Sequence, residues 1–91
     1  MKLKNENIKI AELGEKRTFV SGTKNWTIEW ATLFEEKFKV GDKVSYFDED
    51  SEEIFIGKIE YIIATDMGDV EVSIDDTALG RVDLEYLQHF R

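Results

Sequence analysis

The sequence predicts a mainly β domain, a five-stranded barrel preceded by a short strand pair and one helix, and three features predict it. Val70, Val72 and Ile74 alternate with Glu71, Ser73 and Asp75, the two-residue period of a strand with one face buried and one wet. Ile54 to Ile63 is a long run, partly apolar on both faces, with Gly57 inside it, where a strand that wraps a small barrel has to bend. Clusters of turn formers, Asp48-Glu-Asp-Ser-Glu-Glu53 and Asp66-Met-Gly-Asp69, punctuate the runs and leave strands of ordinary length between them.

In chain order, Met1 to Asn7 is polar and without periodicity, the pattern of a frayed end. Ile8 and Ile10 flank Lys9, which predicts a short strand, and Arg17 to Val20 predicts a second. Ser21-Gly-Thr-Lys-Asn25 is a turn or a helix entry. Trp26 to Phe38 supports two readings. As a helix, Trp26, Trp30, Leu33, Phe34 and Phe38 form one apolar stripe; as a strand, Trp26, Ile28 and Trp30 alternate with Thr27 and Glu29. The helix accounts for more positions and is preferred, with Ala31 to Lys37 favouring it by composition. Lys43 to Asp48 then predicts a strand with Val44 and Tyr46 on one face and Ser45 and Phe47 on the other, and Arg81 to Leu84 a final strand. Glu85-Tyr-Leu87 is expected to form a single helical turn that plugs the barrel end. The expected organisation is one compact unit, residues 1–37 forming an arm packed on a barrel of residues 38–91. Val44, Ile59, Val70, Val72, Ile74, Val82, Leu84 and Leu87 are the expected core.

Composition narrows the function. The 91 residues are 42% apolar and carry a formal charge of −8, enough hydrophobicity for one core and too much for a disordered chain. The charge is unevenly spread. Residues 1–45 hold nine Lys/Arg against seven Asp/Glu, and residues 46–91 hold three against thirteen. The barrel half is therefore acidic, which repels nucleic acid and membrane phosphates and favours basic protein partners. Direct nucleic-acid binding through the lysines of residues 1–24 is disfavoured for the same reason. No run approaches the roughly 18 apolar residues of a membrane span, and no secretory leader is expected. The absence of cysteine fits a reducing cytoplasm.

Signatures of catalysis are missing. The single histidine, His89, is read as a surface or end-plug residue rather than a general base. No nucleophile elbow, phosphate loop or zinc-protease pattern is present. A calcium loop starting at Asp48 would need Gly at Glu53 and Glu at Ile59, so no metal or other cofactor is expected. Trp26 and Trp30 are read as staples between arm and barrel, since a chain this small needs large side chains to bury enough area.

Val40-Gly-Asp-Lys-Val-Ser-Tyr46, Gly57-Lys-Ile-Glu-Tyr-Ile62 and Val82-Asp-Leu-Glu-Tyr-Leu87 resemble the first, second and last strands of SH3-like barrels of the KOW and Tudor type. The likeness covers somewhat over half of the chain. In its acidity and its Lys/Glu/Ile-rich vocabulary, the chain also resembles short accessory proteins of bacteriophages and other mobile elements. The barrel resemblance implies a non-enzymatic binding scaffold whose ligand groove is lined by the loop Asp48 to Glu53. It also implies that aromatics near loop ends, here Tyr46, Phe47, Tyr61 or Tyr86, can cage a methylated cation; core filling is the preferred reading for Tyr46 and Tyr61, and Phe47 is the aromatic expected to be exposed.

Two functions are therefore expected. In the first, an acidic module engages a basic protein partner through Phe47, Asp48, Glu49, Asp50, Glu52 and Glu53. In the alternative, a mobile-element inhibitor presents Glu71, Asp75 and Asp76, with Asp83 and Glu85, as a row of charges that mimics nucleic acid before a host enzyme. Spacing of about 6.7 Å along a strand suits that mimicry. The sequence leaves the oligomeric state open.

Overall fold

The computed structural model describes residues 3–10, 25–75, 77 and 79–90. Among them the chain is mainly antiparallel β, with nine strands and one 3₁₀ turn. The strands are β1 (Ile8–Ile10), β2 (Asn25–Ile28), β3 (Trp30–Leu33), β4 (Glu36–Lys39), β5 (Lys43–Asp48), β6 (Glu53–Thr65), β7 (Val70–Ile74), β8 (Arg81–Asp83) and β9 (Leu87–His89). A 3₁₀ turn at Leu84–Tyr86 joins β8 to β9, where the sequence predicts a helical turn.

The organiser is β6, at 13 residues the longest strand. Its first half pairs with β5, from Asp48↔Glu53 to Lys43↔Lys58. Its second half pairs with β7 along one edge and with β2 along the other. The strand changes partners around Gly57, where a Cβ would lie 2.6 Å from the Asp75 carbonyl and 2.7 Å from Ile74 Cγ2. Only glycine lets the two backbones approach this closely. A register shift between Ile59 and Tyr61 interrupts the pairing with β7 just beyond Gly57. The resulting strand order is β8-β7-β6-β5-β9, with β9 returning antiparallel to β5. A second, three-stranded sheet runs β1-β3-β4.

The preferred helix at Trp26 to Phe38 is not what the chain forms. Those residues make β2, β3 and β4. Glu29 bends the chain from the larger sheet into the smaller one, and Phe34 and Glu35 turn it back with φ of 50° and 67°. Two positive φ values in a two-residue loop are the pattern of a type I′ hairpin. Each break resets the strand phase, so the buried residues fall at Ile28, Ala31 and Phe38. Those spacings of three and seven imitate a helical stripe. The strands win because β2 satisfies the backbone edge of Ile62 to Thr65, which a helix would leave unpaired.

Both sheets share one core. Ile8, Ile28, Ala31 and Phe38 pack in the same cluster as Val44, Ile59, Ile62, Val72, Ile74, Leu84 and Leu87. The expected core residues are buried, apart from Val82, which is half-buried against the cluster. The boundary expected between residues 37 and 38 falls inside β4, whose Phe38 is fully buried. The strand expected at Arg17 to Val20 lies outside the described residues.

Candidate functional site

The β5–β6 hairpin ends in a four-residue turn, Glu49 to Glu52, closed by the Asp48↔Glu53 pair. Composition explains its shape: the Asp48 carboxylate accepts the Asp50 N–H at 3.0 Å, an Asx turn, and Glu52 takes the left-handed conformation at φ 59°. Carboxylates placed so densely repel one another and stay in water. The 3₁₀ turn then brings Tyr86 to the base of this hairpin, because Leu84 and Leu87 are anchored in the core on either side of it and Leu87 pairs with Tyr46.

The result is an open groove of about 260 Å³ lined by Tyr46, Phe47, Asp48, Glu49, Asp50 and Tyr86. Tyr46 is half-buried and packs against the core, as its strand phase predicts, whereas Tyr86 is 62% exposed and Phe47 49%. The local field is negative. Loss of water around the phenol, then the charges of Asp48 and Asp50, raise the Tyr46 pKa above its ordinary 10.0. Desolvation, then Asp69 and Glu85, raise the Asp83 carboxyl above 3.8, partly offset by Lys4. Such a groove attracts cations and offers aromatic faces to receive them.

The residues expected to contact a partner separate into two groups. Phe47, Asp48, Glu49 and Asp50 line the groove, with Glu52 and Glu53 completing the same hairpin. Glu71 and Asp75 are on β7 and at its end, and both are half-buried. Glu71 lies 3.7 Å from Arg81, and Asp75 accepts the Lys58 N–H at 2.6 Å beside Gly57. Both carboxylates are thus engaged within the chain. Asp76 lies outside the described residues. Tyr61, the remaining aromatic candidate, lies on β6 away from this groove.

A second groove, of about 350 Å³, is lined by Glu6, Asn7, Lys9, Thr32, Phe34 and Glu35. No local pattern announces it, since the sequence reading places Phe34 in the helical stripe. His89 also has a role the sequence missed. Its ring stacks on Phe38 at 4.3 Å, with Nδ1 2.8 Å from Glu36 and Nε2 3.0 Å from Asp42. Both nitrogens are taken, which leaves none to act as a base on a ligand.

No helix among the described residues is long and apolar enough to cross a membrane. Comparisons with protein-family models, with curated proteins and with solved structures find no match.

Proposed function

We propose that this chain is a non-enzymatic, cytoplasmic binding module on an SH3-like barrel, which holds a basic segment of a protein partner in the groove between Tyr46, Tyr86 and the acidic hairpin tip. The barrel reading is supported by topology: a β5-β6-β7-β8 meander, a 3₁₀ turn, and a last strand that returns beside the first. The functional reading rests on one observation, the convergence of two tyrosines with Asp48, Glu49 and Asp50 in one open groove. Carboxylates at the rim steer a cationic segment in, and the phenol faces hold its aliphatic stems and charged heads.

The test is titration of fluorescent Lys- and Arg-rich peptides against the protein, followed by fluorescence anisotropy. Binding is expected to weaken steeply between low and physiological salt, because exposed charges are screened beyond about 8–10 Å. Glu49→Lys with Asp50→Lys, and separately Tyr86→Ala, should each weaken it roughly tenfold or more, about 1.4 kcal/mol. Charge reversal at Glu71 should leave it unchanged. If only the Glu71 change matters, the row of charges on β7 is the functional surface and the groove reading fails.

A further inference from the structure

The outer face of the β5–β6–β9 sheet carries a second pattern. Strand register sorts its side chains into three rows. Phe47 pairs with Ile54 nearest the hairpin tip; Ser45 pairs with Ile56 and Gln88 in the middle; Lys43 pairs with Lys58 at the far end. Phe90 joins the far row, its N–H bonded to the Lys43 carbonyl and its ring 4.7 Å from Lys43 Nζ. Successive rows are roughly 6.7 Å apart. Ile54 is 65% exposed, Phe47 49% and Ile56 42%. Large apolar side chains gathered on one exposed face mark an interaction surface rather than scattered surface residues.

We propose that this face binds a second copy of the same chain, in a two-fold dimer whose axis crosses the strands at the Ser45–Ile56 row. Charge selects the occupant. Beyond the Phe47–Ile54 row lies the acidic tip with Glu52 and Glu53, and at the opposite end stand Lys43 and Lys58. A uniformly basic partner that suits the tip would meet like charge at Lys43 and Lys58. The same face turned end for end suits both. The axis sets Ile56 on its symmetry mate, Lys43 over the other copy's Phe47, and Lys58 against the other copy's Ile54 with its Glu52 and Glu53 just beyond. The contacts away from the axis each occur twice, as an isologous interface requires. Ser45 alternates with Tyr46 along β5, and Phe47 is the residue that the dimer face shares with the tyrosine groove. The isoleucine and charge variants below therefore probe the dimer without altering a residue that lines the groove.

Analytical ultracentrifugation of the full chain, from about 10 µM to about 1 mM, tests this. The wild type should form a dimer that weakens as salt rises. Ile54→Ser with Ile56→Ser should raise the dissociation constant roughly tenfold or more. Lys43→Glu with Lys58→Glu should disrupt the homodimer, and so should Glu52→Lys with Glu53→Lys. These surface reversals leave folding intact, since exposed pairs contribute little to it, and circular dichroism checks that they do. An equimolar mixture of the two charge variants should dimerise again, because opposite charges then meet at both ends. A wild type that stays monomeric throughout overturns the proposal. So does a dimer indifferent to the isoleucine and charge changes, or a mixture that fails to pair.

Discussion

His89 shows how one residue can tie distant parts of this chain together. Its imidazole stacks on Phe38 and reaches Glu36 on β4 and Asp42 in the turn before β5. It can donate from both nitrogens only when protonated. Burial opposes that charge, but the hydrogen bonds to Glu36 and Asp42, and then their negative charges, prevail and hold its pKa above the ordinary 6.5. A raised folded pKa fixes the sign of the linkage. Below pH 6.5 the ring is protonated whether the chain is folded or not, and the clasp stabilises in full; its contribution is lost as pH rises through the folded value. Thermal melts should therefore show a midpoint that falls from about pH 6 upward into the mildly alkaline range, with His89→Gln flattening the slope and costing about 1 kcal/mol at pH 6. A wild-type midpoint that rises over that range would show the clasp to be neutral. The sequence placed His89 as a surface or end-plug residue and could not show the clasp, because Glu36 and Asp42 lie 53 and 47 residues away.

Elements were legible where strand phase runs unbroken. Lys43–Asp48 matches the structure residue for residue; Val70, Val72 and Ile74 are buried as their alternation predicts, although Ser73, expected on the wet face, is buried too; and Gly57 was singled out on β6, where it admits the Asp75 backbone. The segment Trp26 to Phe38 was not, and its turn explains why. Type I′ turns ordinarily announce themselves as Asn-Gly, since both central residues need positive φ; here Phe34 and Glu35 occupy them, and Phe34 is 72% exposed. Side chains with a Cβ are held there at a cost the surrounding strands cover. Replacing Phe34-Glu35 by Asn-Gly removes that strain and an exposed aromatic ring together. Chemical denaturation should show the variant more stable by about 1 kcal/mol, with an unchanged denaturant slope. A loss of stability instead would mean that Phe34 contributes through the groove it shares with Glu6, Lys9 and Thr32. The candidate site was half legible on the same principle. The acidic hairpin is contiguous in sequence and was found. Tyr86 joins it only through the 3₁₀ turn, and the engagement of Glu71 and Asp75 within the chain depends on strand neighbours that no local pattern shows.

At the scale of the whole molecule, charge and core divide the chain differently. Charge splits it near its middle, acidic after residue 45, which invites a division into arm and barrel. The core ignores that division. Ile8, Ile28 and Ala31 lie in one cluster with Val44, Ile59 and Leu84, and β2 pairs with β6 from Asn25↔Thr65 to Ile28↔Ile62. Removing residues 1–37 would expose fully buried Ile62 and Ile63 along an open strand edge, and would take away β3 together with the first half of β4. A fragment of residues 38–91 would then keep its β5–β9 connectivity but lose several large buried contacts, each worth about 1.5–3 kcal/mol. Domains of this size have only about 5 kcal/mol in total to lose. The fragment should give a non-cooperative thermal melt and poor amide protection on β6, while the 91-residue chain melts in one transition. Adding residues 1–37 as a separate peptide should restore protection along Ile62 to Thr65, because the register with β2 supplies the missing backbone partners. A fragment that melts cooperatively by itself would instead make residues 38–91 an autonomous domain, with β2 an accessory to it.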